Sequence, residues 1–261
     1  MTDPIESQML ELVWQETKLR RNRRKKNALA ALRDKVEGVI PPRLIRVLEE
    51  AFFTAFQFVF CQGAGVIELT FDKKKLRPSG ARPDLARLER RIKGGAFANT
   101  ALATIEGGGL GLVGWGLPDI PLFLAMLLKN TYEIALRHGF SYEGKGERIF
   151  ILTVLRAALV PAESPEGPDQ ADDVAERLDM GLALYENETE TMRQTSQALA
   201  RAMLVGKFIQ GYPVVGVAGG WVNNAVMRKV SDYAVIKYRK RFLRRLGRQN
   251  AGPVISENGD E

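Results

Sequence analysis

The spacing most suggestive of chemistry is Gly109-Leu-Gly111-Leu-Val-Gly114, a formal G-x-G-x-x-G. In a dinucleotide-binding fold, such glycines let a turn approach a pyrophosphate at a helix N-terminus. Glu133 lies near the distance at which a carboxylate would meet the ribose. That chemistry needs a strand before the glycines and a helix opening on them. Here Trp115-Gly116-Leu117-Pro118 follows at once, and no strand–helix alternation surrounds the motif. The glycines read instead as packing positions that let backbones approach closely. They are Gly107, Gly109, Gly111 and Gly114, with Gly216, Gly219 and Gly220 in a second run; Gly107…Gly111 and Gly216…Gly220 share a four-residue spacing.

The remaining reactive side chains are few. One histidine, His138, and one cysteine, Cys61, make a Cys/His metal site implausible and exclude an intramolecular disulfide. No G-x-S-x-G, G-K-[ST] or H-E-x-x-H occurs. An enzyme would have to use the polar groups beside the apolar segments: Asp119, Glu133, His138 and Asn223. Each has a structural reading too. Asp119 is placed to cap a helix, and Arg137-His138-Gly139 resembles a helix end with cations beside the negative pole of the dipole. Asp172-Asp173 falls in Pro161–Asp173, which has three prolines, five acidic residues and almost nothing apolar. This stretch predicts a mobile linker and a solvated pair.

Helical periodicity dominates the elements that would position these groups. Ile5–Leu32 reads as a helix with Met9, Leu12, Val13 and Leu19 at helical spacings, turning basic from Lys18 through Arg23, Arg24, Lys25 and Lys26. Ile40-Pro41-Pro42 breaks the chain. Arg43–Ile67 follows, uncharged from Ala51 and crowded with phenylalanines; a core helix or a half-inserted segment fits it. Leu85–Ile92, with Leu85, Leu88 and Ile92 at i, i+3 and i+7, Ile120–Arg137, Ile149–Val160, Val174–Lys207 and Asn223–Gly247 complete the helices. The last gathers Lys240, Arg241, Arg244, Arg245 and Arg248 on the face opposite Val230, Ala234 and Tyr238, which fits a basic amphipathic helix at a membrane surface and equally a plain surface helix docked by its apolar face.

These patterns predict an all-α protein: a single compact multi-helix domain with two glycine-rich apolar segments packed at its centre. Residues 1–40 form an N-terminal basic helix, 41–248 the helical domain with its linker at 161–173, and 249–261 a disordered tail. The N-terminus lacks a basic start and short apolar core, so no secretory signal is expected. The 261 residues carry a net charge of +7. That charge suits an anionic membrane surface. Nucleic acid is a weaker candidate, because no recognised module appears and the aromatics sit in apolar runs rather than among cations.

Two groups of motifs resemble the bacterial EcsC family. One is the glycine run leading into Leu117-Pro118-Asp119-Ile120 and on through Ala135, Gly139-Phe140 and Glu147-Arg148-Ile149-Phe150-Ile151-Leu152. The other is Tyr212-Pro213-Val214-Val215-Gly216, Gly219-Gly220 and Asn223, followed by Ala234 and Arg241-Phe242-Leu243. The resemblance covers roughly residues 41–247. It implies a helical fold and a cytoplasmic, membrane-proximal setting, and it supplies no catalytic residue or cofactor. The family takes its name from a product encoded beside the Ecs ABC transporter, which makes such a complex a candidate partner.

Overall fold

The computed structural model describes residues 4–25, 38–61, 120–160, 168–209 and 219–250. Among these residues the elements are helices without a strand: α1 (Pro4–Lys25), α2 (Pro42–Cys61), α3 (Ile120–Arg137), α4 (Lys145–Leu159), α5 (Pro168–Asp179), α6 (Glu188–Ile209) and α7 (Gly219–Asn250).

The core forms around α4. Every residue from Ile149 to Leu159 is buried, as expected of a helix that is apolar nearly all round. α5, α6 and α7 pack against it. Thr195 on α6 donates its hydroxyl to Leu152 O of α4 at 3.0 Å. The phenylalanine-rich α2 turns Phe52, Phe53, Phe56 and Val59 inward against α6 and α3, and Phe52 meets Phe123 edge-on at 6.4 Å. This stretch is therefore core helix as far as Cys61. Among the described residues no helix is long and apolar enough to cross a membrane.

α3 and α7 run side by side in the same direction. Asn130 donates to Ser231 Oγ at 2.6 Å, and further along both helices His138 stacks on Tyr238 at 6.4 Å. α1 lies on α7 as well.

α3 ends in a glycine stop. Phe140 N donates to Ala135 O and Gly139 N to Leu136 O, both at 3.0 Å, with Gly139 at φ +75°. That pattern satisfies terminal carbonyls and needs a left-handed residue. A Cβ at Gly139 would also lie 2.9 Å from Arg245 Nη2. Gly139→Ala is expected to lower the unfolding free energy by about 1–3 kcal/mol. Gly247→Ala, in the helical body of α7 with no neighbouring atom within 4 Å, should raise it by up to about 1 kcal/mol. Urea unfolding of both variants checks the pair.

Two expectations change. The stretch expected as a linker is helical from Pro168, because proline suits the first helical position; residues 161–167 lie outside the described residues. The expected helix Val174–Lys207 is two helices. α5 stops with Gly181 at φ +69°, where Leu182 N donates to Arg177 O at 2.8 Å. Asn187 Oδ1 then accepts from Thr189 N at 2.9 Å and Glu190 N at 3.3 Å, capping α6.

The glycines expected at the centre, Gly107, Gly109, Gly111, Gly114 and Gly216, lie outside the described residues, as does the cap Asp119. Gly219 and Gly220 form the first turn of α7. That helix continues to Asn250, past the point where a tail was expected.

Candidate functional site

The cations of α7 do not form one solvent-facing stripe. Lys237, Lys240 and Arg241 are only 1%, 5% and 2% exposed. Three other helices supply their counter-charges, because a buried cation needs a partner that replaces its lost hydration.

Glu16 of α1 enters first. It lies four residues after the buried Leu12, on the face of α1 that rests on α7. Its carboxylate binds Lys237 Nζ at 2.8 Å and Lys240 Nζ, and accepts from Tyr233 Oη at 3.2 Å. Asp172 of α5 closes the cluster, 2.8 Å from Lys237, 3.3 Å from Lys240 and 3.4 Å from Arg244. Burial works to raise the Asp172 pKa, but the Lys237 ammonium, with Lys240 and Arg244, holds it below the usual carboxylate value. Asp172 is therefore no solvated half of an Asp172-Asp173 pair.

One turn on, Arg241 binds Glu147 of α4 in a two-pronged pair, both N–H···O distances 2.7 Å. Its Nε donates to Asp179 Oδ1 of α5 at 2.7 Å. The guanidinium also faces Phe140 at 4.2 Å and Phe150 at 4.8 Å. Burial alone would depress its pKa; hydrogen bonding and charge from Glu147, then Asp179, more than offset this and raise it.

Lys240 and Arg241 thus join helices together and are unavailable to an anionic surface, which corrects the sequence expectation. Arg245 stacks on Phe140 at 4.4 Å and donates to Gly139 O and His138 O, where it satisfies the end of α3. Arg244 is half-buried, and Arg248 is the exposed one, 3.5 Å from Asp179. The backbone of Arg23, Arg24 and Lys25 belongs to the last turns of α1; their side chains, and Lys26, lie outside the described residues.

A cleft of about 480 Å³ opens beside this junction, lined by Phe140, Ser141, Glu147, Asp179, Arg245 and Arg248 among others. Its carboxylates are occupied by Arg241, and three helix C-termini converge near it. Its arginines are explained by those carbonyls and carboxylates without a substrate.

The other polar candidates do not converge. Glu133 pairs with Lys129 one turn away at 2.5 Å. His138 Nδ1 lies 2.7 Å from Ile134 O; a carbonyl only accepts, so Nδ1 carries the proton. His138 sits beside Tyr238, fifteen residues beyond Asn223 on α7. At 1.5 Å per residue that is about 22 Å, too far for one active site. Among the described residues no cluster of three His, Cys, Asp or Glu could hold a metal.

What remains facing outward is the other side of α1. Leu10, Val13 and Trp14 are 61%, 45% and 58% exposed, at i, i+3 and i+4. Lys18 Nζ stands 4.7 Å over the Trp14 ring, and the sequence beyond it supplies Arg20, Arg21, Arg23, Arg24 and Lys25. Sequence reading placed Val13 with Leu12 on one apolar face; the docked α1 buries Leu12 and turns Val13 out.

Comparison with known proteins supplies a family and no chemistry. The EcsC protein family model matches residues 7–243. Protein EcsC of Bacillus subtilis (strain 168) is 24% identical over 247 residues, 94% of this chain and 98% of that protein. Uncharacterized protein YdbA of the same organism is 27% identical over 157 residues, 55% of this chain and 54% of YdbA, so that match spans about half of each. No solved structure matches.

Proposed function

The chain belongs to the EcsC protein family, and from that premise we propose that it is a cytoplasmic protein that associates peripherally with the inner membrane surface, or with a complex there, and carries no reaction of its own. The observation that carries this reading is the outer face of α1. Leu10, Val13 and Trp14 form an apolar stripe open to solvent, and a run of cations follows on the same helix.

An interfacial helix works by this combination: apolar side chains enter the headgroup boundary while cations meet anionic lipid. Each exposed apolar side chain that is buried contributes on the order of 1 kcal/mol, and each cation near an anionic surface about the same. Tryptophan suits such a boundary because its ring is apolar and its N–H finds a polar partner. The inner face of α1 stays on α7 through Leu12 and Glu16, so the helix can serve lipid and body at once.

Vesicle co-sedimentation tests the reading. Binding is expected to vesicles containing anionic lipid, weakly to neutral ones, with release by salt, since screening acts over about 8 Å at physiological strength. The combined variant Leu10→Ser, Val13→Ser, Trp14→Ser should bind at least about tenfold more weakly with unchanged helical circular dichroism. Equal, salt-resistant binding to both vesicle types would mean insertion. No binding to either would point to a protein complex, with an ABC transporter the first to try.

A further inference from the structure

The chain is basic as a whole, yet residues 169–190 carry eight acidic side chains and one cation, Arg177. Asp172, Asp179 and Glu188 are tied to cations of other elements. Asp173 and Glu176 have no such cation among the described residues, and they face solvent from α5. Beside them, the loop between α5 and α6 exposes Met180, Leu182 and Tyr185, the last at 81%.

This loop is held in shape. Gly181 closes α5, Arg177 donates through Nε and Nη2 to Ala183 O at 2.9 and 2.6 Å, and its guanidinium lies 3.7 Å from the Tyr185 ring centroid. Apolar side chains presented by a fixed loop lose little freedom on docking, so they suit an interface.

The complementary surface is on the same molecule. The outer face of α1 offers Leu10, Val13 and Trp14 with the Lys18 ammonium over the Trp14 ring, against apolar residues with the Asp173 and Glu176 carboxylates on α5 and its loop. The helices that carry the two surfaces are neighbours, because Lys237 Nζ sits 2.8 Å from both Glu16 of α1 and Asp172 of α5. A two-fold axis passing between adjacent complementary patches lets each meet its opposite at once, the condition for a closed dimer.

We propose that two copies of this chain pair about a two-fold axis, with the α1 stripe of each covering the α5–α6 edge of the other. The inference shares its stripe with the lipid reading, so lipid and the second copy compete for it; it is tested without lipid, so either can fail alone.

Sedimentation equilibrium of the full chain at about 0.15 M and about 0.5 M salt measures the pairing. A monomer–dimer equilibrium is expected, weakened at least about tenfold at the higher salt. Asp173→Lys with Glu176→Lys should abolish it, as should Thr17→Glu with Lys18→Glu. An equimolar mixture of the two variants should restore a dimer, because the exchanged charges attract again. Circular dichroism of each variant establishes that it is folded. A wild type monomeric at about 100 μM, an open-ended oligomer, a dimer indifferent to both substitutions, or a mixture that stays monomeric would each overturn the proposal.

Discussion

Arg241→Ala is expected to lower the unfolding free energy by about 3–5 kcal/mol, a large share of the stability of an ordinary domain. The guanidinium holds Glu147 of α4 and Asp179 of α5 through three hydrogen bonds of 2.7 Å. Without it, both carboxylates stay largely desolvated; Arg248 still faces Asp179, but from 3.5 Å. Neutral removal of a buried pair is often tolerated, but removal of one partner is not, because the other keeps its desolvation penalty. The triple variant Arg241→Met, Glu147→Gln, Asp179→Asn should therefore recover most of the loss. Urea unfolding at neutral pH measures both. A single variant within about 1 kcal/mol of wild type would mean that water reaches the carboxylates and that the junction is no buried lock.

Glu16→Ala should cost about 3 kcal/mol and act mostly on α1. The substitution takes from the Lys237 and Lys240 ammonium groups, both almost fully buried, one of the two carboxylates they share, and Asp172 remains. It also removes the acceptor of the Tyr233 hydroxyl. Among the described side chains of the helix, Leu12 is the one other that is buried. Local opening of α1 should then precede global unfolding. Native-state hydrogen exchange reads this directly: amide protection should fall in α1 far more than in α4. Unchanged protection in α1 would show that apolar contacts hold it and that the ion cluster is incidental.

Much of the helical fold was legible in the sequence. α3 follows the predicted span Ile120–Arg137, because a long apolar run and an Arg-His-Gly stop are local signals. α4 was legible as an apolar helix, though its place at the centre emerges only in packing. The polar junction was read the wrong way round. Cations on α7 were assigned to solvent by residue type, whereas Arg241 follows Ala234 by seven residues and Val230 by eleven, the spacing of a single helix face. That angle was available in the sequence. Glu16, four residues after Leu12, was a similar signal: a carboxylate on the buried side implies a buried cation elsewhere. The outward turn of Val13 and Trp14 was not legible, because α1 has apolar residues on more than one side and only its seat on α7 selects between them. The break at Gly181 was missed although Gly181 and Asn187 are a stop and a cap in order. Acidic composition likewise hid the α5 helix, whose carboxylates are needed by the cations of α7.

The ion cluster joins the first helix to the last, with Glu16 and Lys240 separated by 224 positions in the chain. On a ribosome moving at about 5–20 residues per second, the lysines that hold Glu16 appear on the order of tens of seconds after it. Throughout that interval the acidic inner face of α1 has none of its α7 partners. Nascent chains halted before α7 is complete are therefore expected to carry an α1 without these ion pairs, and its docking must await the newest segment. The loop-closure cost of so long a separation grows only logarithmically with length, so delay rather than entropy is what the arrangement imposes. A truncation within α7 is expected to expose α1, far from the cut in sequence, to proteases.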